Sequence, residues 1–200
     1  MDWSQHSIPP MRLEPRFGDR VVPVFCERPK SISEMVAEAV AANPDGEALV
    51  CGATRMSWRE VARQSAQIAA GLQKLGLAPG DRVAMLLGNR IEFVLTMLGA
   101  AHAGLVTVLL STRQQKPEIA YVLSDCGAKL LVHEASLAER IPDAADVPEL
   151  THRISVSDDS ASQFAGLLDN PPASSPAEVG EEDTAMILYT SGTTGKPKGA

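Results

Sequence analysis

The chain has 200 residues, 44 % of them hydrophobic, which is enough to bury a core in one large domain or two small ones. Its net charge of −7 is localised: no Lys or Arg occurs from Ile154 to Gly195, where seven acids fall, and elsewhere 18 acids balance 18 bases. Without a basic patch, nucleic acid is excluded as a partner. Cys26, Cys51 and Cys126 show no C-x-x-C spacing and His6, His102, His133 and His152 no metal-ligand spacing, so free thiols in a reducing, cytoplasmic compartment are expected and a structural zinc site is not.

In chain order, Met1–Gln5 is neither basic nor followed by an apolar run, so no signal peptide is expected. Residues 1–30 carry Pro9, Pro10, Pro15, Pro23 and Pro29 and read as an irregular arm anchored through Val21, Val22, Val24 and Phe25. Ser31 and Glu34 form a capping box for a helix that stops at Asn43-Pro44. Glu47–Cys51 and Arg55-Met56 read as two strands around a Gly52-Ala53 turn. Ser57 and Glu60 cap a second helix, with Val61, Ser65, Ile68, Ala69, Leu72 and Leu75 at helical spacing and Gly76 as its stop. Arg82–Leu87 is a strand. Asn89, with Glu92 three residues on, is the expected N-cap of an apolar helix ending at Gly104.

Phe93 to Leu110 is 18 residues without a formal charge, but Gly99, His102 and Gly104 divide it into a helix and a strand rather than a membrane span. Pro117 and Glu118 open the next helix, which stops near Gly127. A strand at Lys129–His133, a helical turn at Leu137–Ile141 and a strand at Arg153–Val156 follow. This alternation predicts an α/β fold of βαβ type, a mainly parallel sheet flanked by helices, over residues 31–156. Residues 157–183, rich in Ser, Asp, Pro and Glu, read as a mobile acidic connection within which Phe164–Leu168 is the stretch expected to dock, and 184–200 as a strand and loop.

That last unit carries the chemistry. The apolar run Ala185 to Tyr189 reads as a buried strand delivering Thr190-Ser191-Gly192-Thr193-Thr194-Gly195-Lys196-Pro197-Lys198-Gly199. Three glycines permit close backbone approach, successive N–H groups can cradle an anion, four hydroxyls donate, and two lysines bring positive charge. These suit a polyphosphate, although an unliganded surface hairpin would use the same residue types. The spacing is not that of a Walker A loop, and Pro197 favours a turn between two strands over a helix start.

Tyr189 to Gly199 resembles the phosphate-binding signature of the adenylate-forming superfamily, which includes acyl-CoA synthetases, adenylation domains of nonribosomal peptide synthetases and luciferases. Pro79-Gly80-Asp81-Arg82-Val83-Ala84, Asn89-Arg90-Ile91-Glu92-Phe93, Glu118 to Leu123 and Ala128-Lys129 extend the resemblance over about Ser31 to Ala200. Gly88 and Leu109 stand where the family commonly has proline, and Ser111–Gln115 is not its usual connection.

The resemblance implies the amino-terminal part of the large domain of an adenylate-forming enzyme. It implies ATP-dependent activation of a carboxylic acid through an acyl-adenylate with release of pyrophosphate, then transfer to coenzyme A. Thr190, Ser191, Gly192, Thr193, Thr194, Gly195, Lys196, Lys198 and Gly199 become the ATP-binding set, Thr190 the Mg²⁺ residue and Lys198 the catalytic charge. Lys196 is expected to face solvent. The adenine, ribose and acyl sites and a second-step lysine are expected beyond Ala200, so the 200 residues are expected to be an inactive fragment alone. A truncated product, a nonribosomal adenylation domain and a stand-alone phosphate-binding module are the competing readings.

Overall fold

The computed structural model describes residues 8–159, 162–190 and 196–200. Its centre is a six-stranded sheet, in which β5 (Arg82–Leu86), β6 (Val106–Leu109), β7 (Ala128–Glu134), β8 (His152–Val156), β9 (Met186–Thr190) and β10 (Lys198–Gly199) lie in the order β10-β9-β6-β5-β7-β8. All neighbours are parallel except β10, which runs antiparallel to β9. The predicted α/β class and parallel sheet are observed.

The side-chain period of two divides the core between the faces. Val83 and Met85 of β5, with Leu130 and Val132 of β7, pack against α2 (Trp58–Lys74) and α3 (Ile91–His102). Ala84 and Leu86, with Leu131, pack against α4 (Lys116–Cys126) on the other face. Ile68, Leu72, Leu95, Ile119 and Leu123 are fully buried. Each such side chain contributes about 1.5–3 kcal/mol over its exposed state. Phe93–Leu110 divides into α3 and β6, and among the described residues no helix is long and apolar enough to cross a membrane.

Helix starts follow local chemistry, with exceptions. Before α2, the Ser57 N–H donates to Glu60 Oε2 at 2.7 Å and the Glu60 N–H to Ser57 Oγ at 3.3 Å, a complete capping box. At α1 (Ile32–Ala42), Ser31 caps the Glu34 N–H, but the Glu34 carboxylate accepts from the Lys30 N–H, so the box is not reciprocal. Arg90, not Asn89, is the N-cap of α3, with no side-chain cap bond. Its guanidinium instead pairs with Glu92 and with Asp158 beyond β8, a tertiary tie that replaces the local cap. Gln115 and Glu118 form the box of α4, and Gly127 closes it at φ 61°.

Two segments differ from expectation. The supposedly irregular arm contains a hairpin, β1 (Met11–Arg16) and β2 (Arg20–Phe25), turning through Phe17 and Gly18 at positive φ. Proline misleads here, because half the N–H groups of a two-stranded ribbon point out of the ladder and proline is tolerated there. The hairpin is pinned by its charged face. Arg16 pairs with Glu14 and Glu181, and Arg28 with Glu14 at 3.1 Å and Glu181 at 2.9 Å.

The acidic connection is therefore docked. Its short helix α5 (Ala165–Leu168) packs on α2, Gln67 Nε2 donates to Leu168 O at 2.7 Å, the Ala173 N–H to Ala66 O and the Ala177 N–H to His102 O. The small hairpin β3 (Glu47–Cys51) and β4 (Thr54–Ser57) and a 3-10 turn at Ala135–Arg140, where a helical turn was expected, complete the described elements.

Candidate phosphate-binding site

The site grows from β9, which pairs with β6 in parallel, Thr107 opposite Met186 and Leu109 opposite Leu188. At its carboxyl end the chain leaves through Thr190 and returns as β10, placing Lys198 opposite Thr190 and Gly199 opposite Tyr189. Two further bonds, Leu188 N–H to Ala200 O at 2.9 Å and Ala200 N–H to Leu188 O at 3.0 Å, close the hairpin. Directly opposed residues in an antiparallel pair share a face, with Cβ atoms about 4.5–5.5 Å apart. The register therefore sets the Thr190 hydroxyl beside the Lys198 side chain, both exposed. Lys198 makes no ion pair among the described residues, which leaves its charge available.

This end of the sheet is where a parallel α/β fold holds ligands. The connection leaving β5 runs to α3 on one face, and that leaving β6 runs to α4 on the other. A crevice opens where neighbouring strands send their connections to opposite faces, outside the carboxyl ends. Thr190 stands on that same edge, next to β6. Gly88, in the β5–α3 connection, donates its N–H to Glu134 Oε1 at 2.7 Å. Proline could not make this bond, so the departure at Gly88 gives the β5 loop a tie to the end of β7.

The nine sequence-predicted residues separate into groups. Ser191, Gly192, Thr193, Thr194 and Gly195 lie outside the described residues. Thr190 and Lys198 are brought together. Lys196 is turned elsewhere: it is exposed, but its ammonium sits 5.3 Å from the centroid of the Tyr121 ring on α4. Its exposure is that of the expected solvent-facing lysine, and a cation over an aromatic face adds about 0.5–1 kcal/mol at an exposed site. Gly199 has a packing reason to be glycine. A Cβ there would lie 2.9 Å from Ile187 Cγ2 and 3.0 Å from Tyr189 Cζ, so one of these side chains would have to shift for β10 to stay on β9.

Two residues on α4 were not singled out beforehand. Tyr189 Oη donates to Asp125 Oδ2 at 2.6 Å, and Tyr121 Oη donates to Pro197 O at 3.2 Å. Partial burial, then the bond to Asp125, push the Tyr189 phenol well up, and burial and the Asp125 charge push Tyr121 up as well. Both phenols therefore stay protonated donors. The available signal was the i, i+4 spacing of Tyr121 and Asp125, which puts both on one helix face.

Among the described residues, no group of three or more His, Cys, Asp or Glu side chains could hold a metal ion. The one expected metal residue, Thr190, offers a single exposed hydroxyl. That fits Mg²⁺ only in its usual mode, with substrate phosphates and waters supplying most of six ligands. All three cysteines are free, as expected.

Known proteins resemble this chain in sequence and in fold. The chain is 37 % identical over 177 residues to long-chain-fatty-acid–CoA ligase FadD13 of Mycobacterium tuberculosis, covering 85 % of this chain and 34 % of the relative. It is 35 % identical over 158 residues to feruloyl-CoA synthase of Amycolatopsis, covering 79 % of this chain and 30 % of the relative. Surfactin synthase subunit 3 of Bacillus subtilis matches at 33 % over 178 residues, 88 % of this chain and 13 % of that protein. The crystal structure of the N-terminal domain of FACL13 from Mycobacterium tuberculosis superposes with a TM-score of 0.77 at 33 % identity, over 84 % of this chain and 43 % of that one. The chain thus spans about a third of the length of the acyl-CoA-forming relatives it matches. The AMP-binding enzyme family model matches residues 36–200, and the chain belongs to that family.

Proposed function

We propose that this chain provides the phosphate-binding part of an ATP-dependent enzyme that activates a carboxylic acid and passes it to coenzyme A. The observation that carries the reading is the β9–β10 register, which sets Thr190 beside Lys198 at the carboxyl edge of the sheet and brackets residues 191–195 between them. Lys198 and the loop hydroxyls and amides would grip the β- and γ-phosphates. The carboxylate then attacks the α-phosphate, an acyl–oxygen–phosphorus bond forms, and the bond to pyrophosphate breaks. Both reactants are anions, so positive charge held at the departing pyrophosphate lowers the barrier. Mg²⁺ would supply further charge neutralisation across the phosphate oxygens, with the Thr190 hydroxyl as the protein oxygen on offer.

The free thiols Cys26, Cys51 and Cys126 support a reducing, cytoplasmic setting. The match to a surfactin synthase subunit supports one second reading, an adenylation domain whose acceptor is a carrier-protein thiol.

The test is carboxylate-dependent ATP–pyrophosphate exchange by the full product of this chain's reading frame. Short-, medium- and long-chain and aryl acids are offered, with the 200-residue chain alone as the control. Exchange and AMP formation are expected for the former and not for the latter. Absence of both with every acid refutes the reading. A thioester formed only on a carrier protein selects the second.

A further inference from the structure

Resting on the phosphate reading above, we propose that Tyr121 and Asp125 are positioning residues that clamp both ends of the loop from α4. Their hydrogen bonds to the hairpin each fall one residue before a proposed phosphate residue. Asp125 accepts from Tyr189, which precedes Thr190, at 2.6 Å, and Tyr121 donates to the carbonyl of Pro197, which precedes Lys198, at 3.2 Å. Successive residues of a strand point to opposite faces, so holding Tyr189 and Pro197 against α4 turns Thr190 and Lys198 to the other face, toward the site.

The clamp answers a weakness in the hairpin. β10 is only two residues long, and a slip of one residue would exchange its faces and carry Lys198 to the α4 side. The bulk of Tyr189 against the bare Cα of Gly199 acts against the same slip. Asp125 itself is exposed and forms no ion pair among the described residues. Its Oδ2 accepts from Tyr189, and its Oδ1 lies 3.5 Å from Tyr121 Oη, whose one proton goes to the nearer Pro197 carbonyl. A carboxylate so placed adds little to the core, and its contacts converge on the loop ends.

The experiment uses Asp125→Ala, Asp125→Asn, Tyr189→Phe and the double variant Asp125→Ala/Tyr189→Phe in the full protein. A charge-assisted bond at a partly exposed site predicts a rise of about three- to tenfold in KM for ATP for Asp125→Ala and for Tyr189→Phe. The KM for the acid and the melting temperature should stay near wild type. The double variant should be no worse than either single one, because both break the same bond. Asp125→Asn retains an acceptor oxygen and should recover most of the loss. Equal rises in both KM values, additive losses, or no change would overturn the clamp.

If the wild-type protein shows no exchange activity, the functional reading fails, and the clamp is decided by amide hydrogen exchange instead. Residues 186–190 and 198–200 should then exchange faster in Asp125→Ala while residues 82–86 stay protected. Unchanged exchange at both loop ends would refute the clamp.

Discussion

Gly99→Ala would show whether the approach of α3 to α2 is as tight as the structure gives. A Cβ at this position would lie 2.6 Å from Ile68 Cγ2, 2.8 Å from Ile68 Cβ and 3.1 Å from the Ser65 carbonyl oxygen. Carbon atoms in ordinary contact sit about 3.5–4.0 Å apart, so the two helices must separate by about 1 Å. Ile68 cannot turn aside, because a β-branched residue in a helix has essentially one χ1 rotamer. Overpacking of this kind costs about 1–3 kcal/mol, here toward the upper end, while replacing a helical glycine by alanine returns about 1 kcal/mol.

The expected net loss for Gly99→Ala is about 2 kcal/mol, or about 4–8 °C in melting temperature for a domain of this size. Two other glycines calibrate it. At Gly71 the new Cβ would meet Leu167 Cδ2 and Asn170 Nδ2 at 3.0 Å and the Leu167 Cα at 3.1 Å, so the short α5 must shift a few tenths of an ångström, and the net loss should be about 1 kcal/mol. At Gly166 it would meet nothing within 4 Å, and the smaller unfolded-state entropy should raise stability by about 0.5 kcal/mol. Thermal unfolding followed by circular dichroism reads all three. A melting temperature for Gly99→Ala equal to or above that of Gly166→Ala would refute the packing argument.

The remaining predictions concern charge. Lys198→Ala should leave the melting temperature unchanged, since this exposed side chain has no ion pair among the described residues, and should lower pyrophosphate release about 10²–10³-fold. Lys196→Ala should cost about 0.5–1 kcal/mol of stability by uncovering the Tyr121 ring, with much the smaller effect on rate; equal, small rate effects of the two variants would count against a phosphate grip by Lys198. Arg16, then Arg12, hold the Glu14 carboxyl down at about 2. Because its folded pKa lies below the ordinary value, the contribution of Glu14 to docking the β1–β2 hairpin is complete above the usual carboxylate range. It is lost as pH falls through about 2. An NMR titration of the Glu14 carboxyl carbon should find that midpoint, whereas one near the ordinary ~4.3 would mean that the hairpin latch is absent in solution.

Local chemistry was enough to determine the succession of elements from Ser31 to Val156, because their caps, turn glycines and apolar spacing lie within a few residues of one another. Ser57 with Glu60, Pro117 and Glu118 with Gly127 and the apolar run of β9 act over distances that the chain itself sets. The residue types of the Thr190–Gly199 loop likewise made a polyphosphate site legible before any fold was known. Long-range charge and register were not legible in this way. Arg90 stands where Asn89 was expected as the cap of α3, and its guanidinium reaches Asp158, 68 positions along the chain. The proline-rich arm became a hairpin because Glu14 and Glu181, 167 positions apart in the chain, both pair with Arg16 and Arg28. The two lysines of one short loop look equivalent as a string, yet pairing with β9 turns Lys198 toward Thr190 while Tyr121 of α4 takes Lys196. Strand register and helix placement are properties of the assembled sheet, and they decide which of two neighbouring charges is free to meet a substrate.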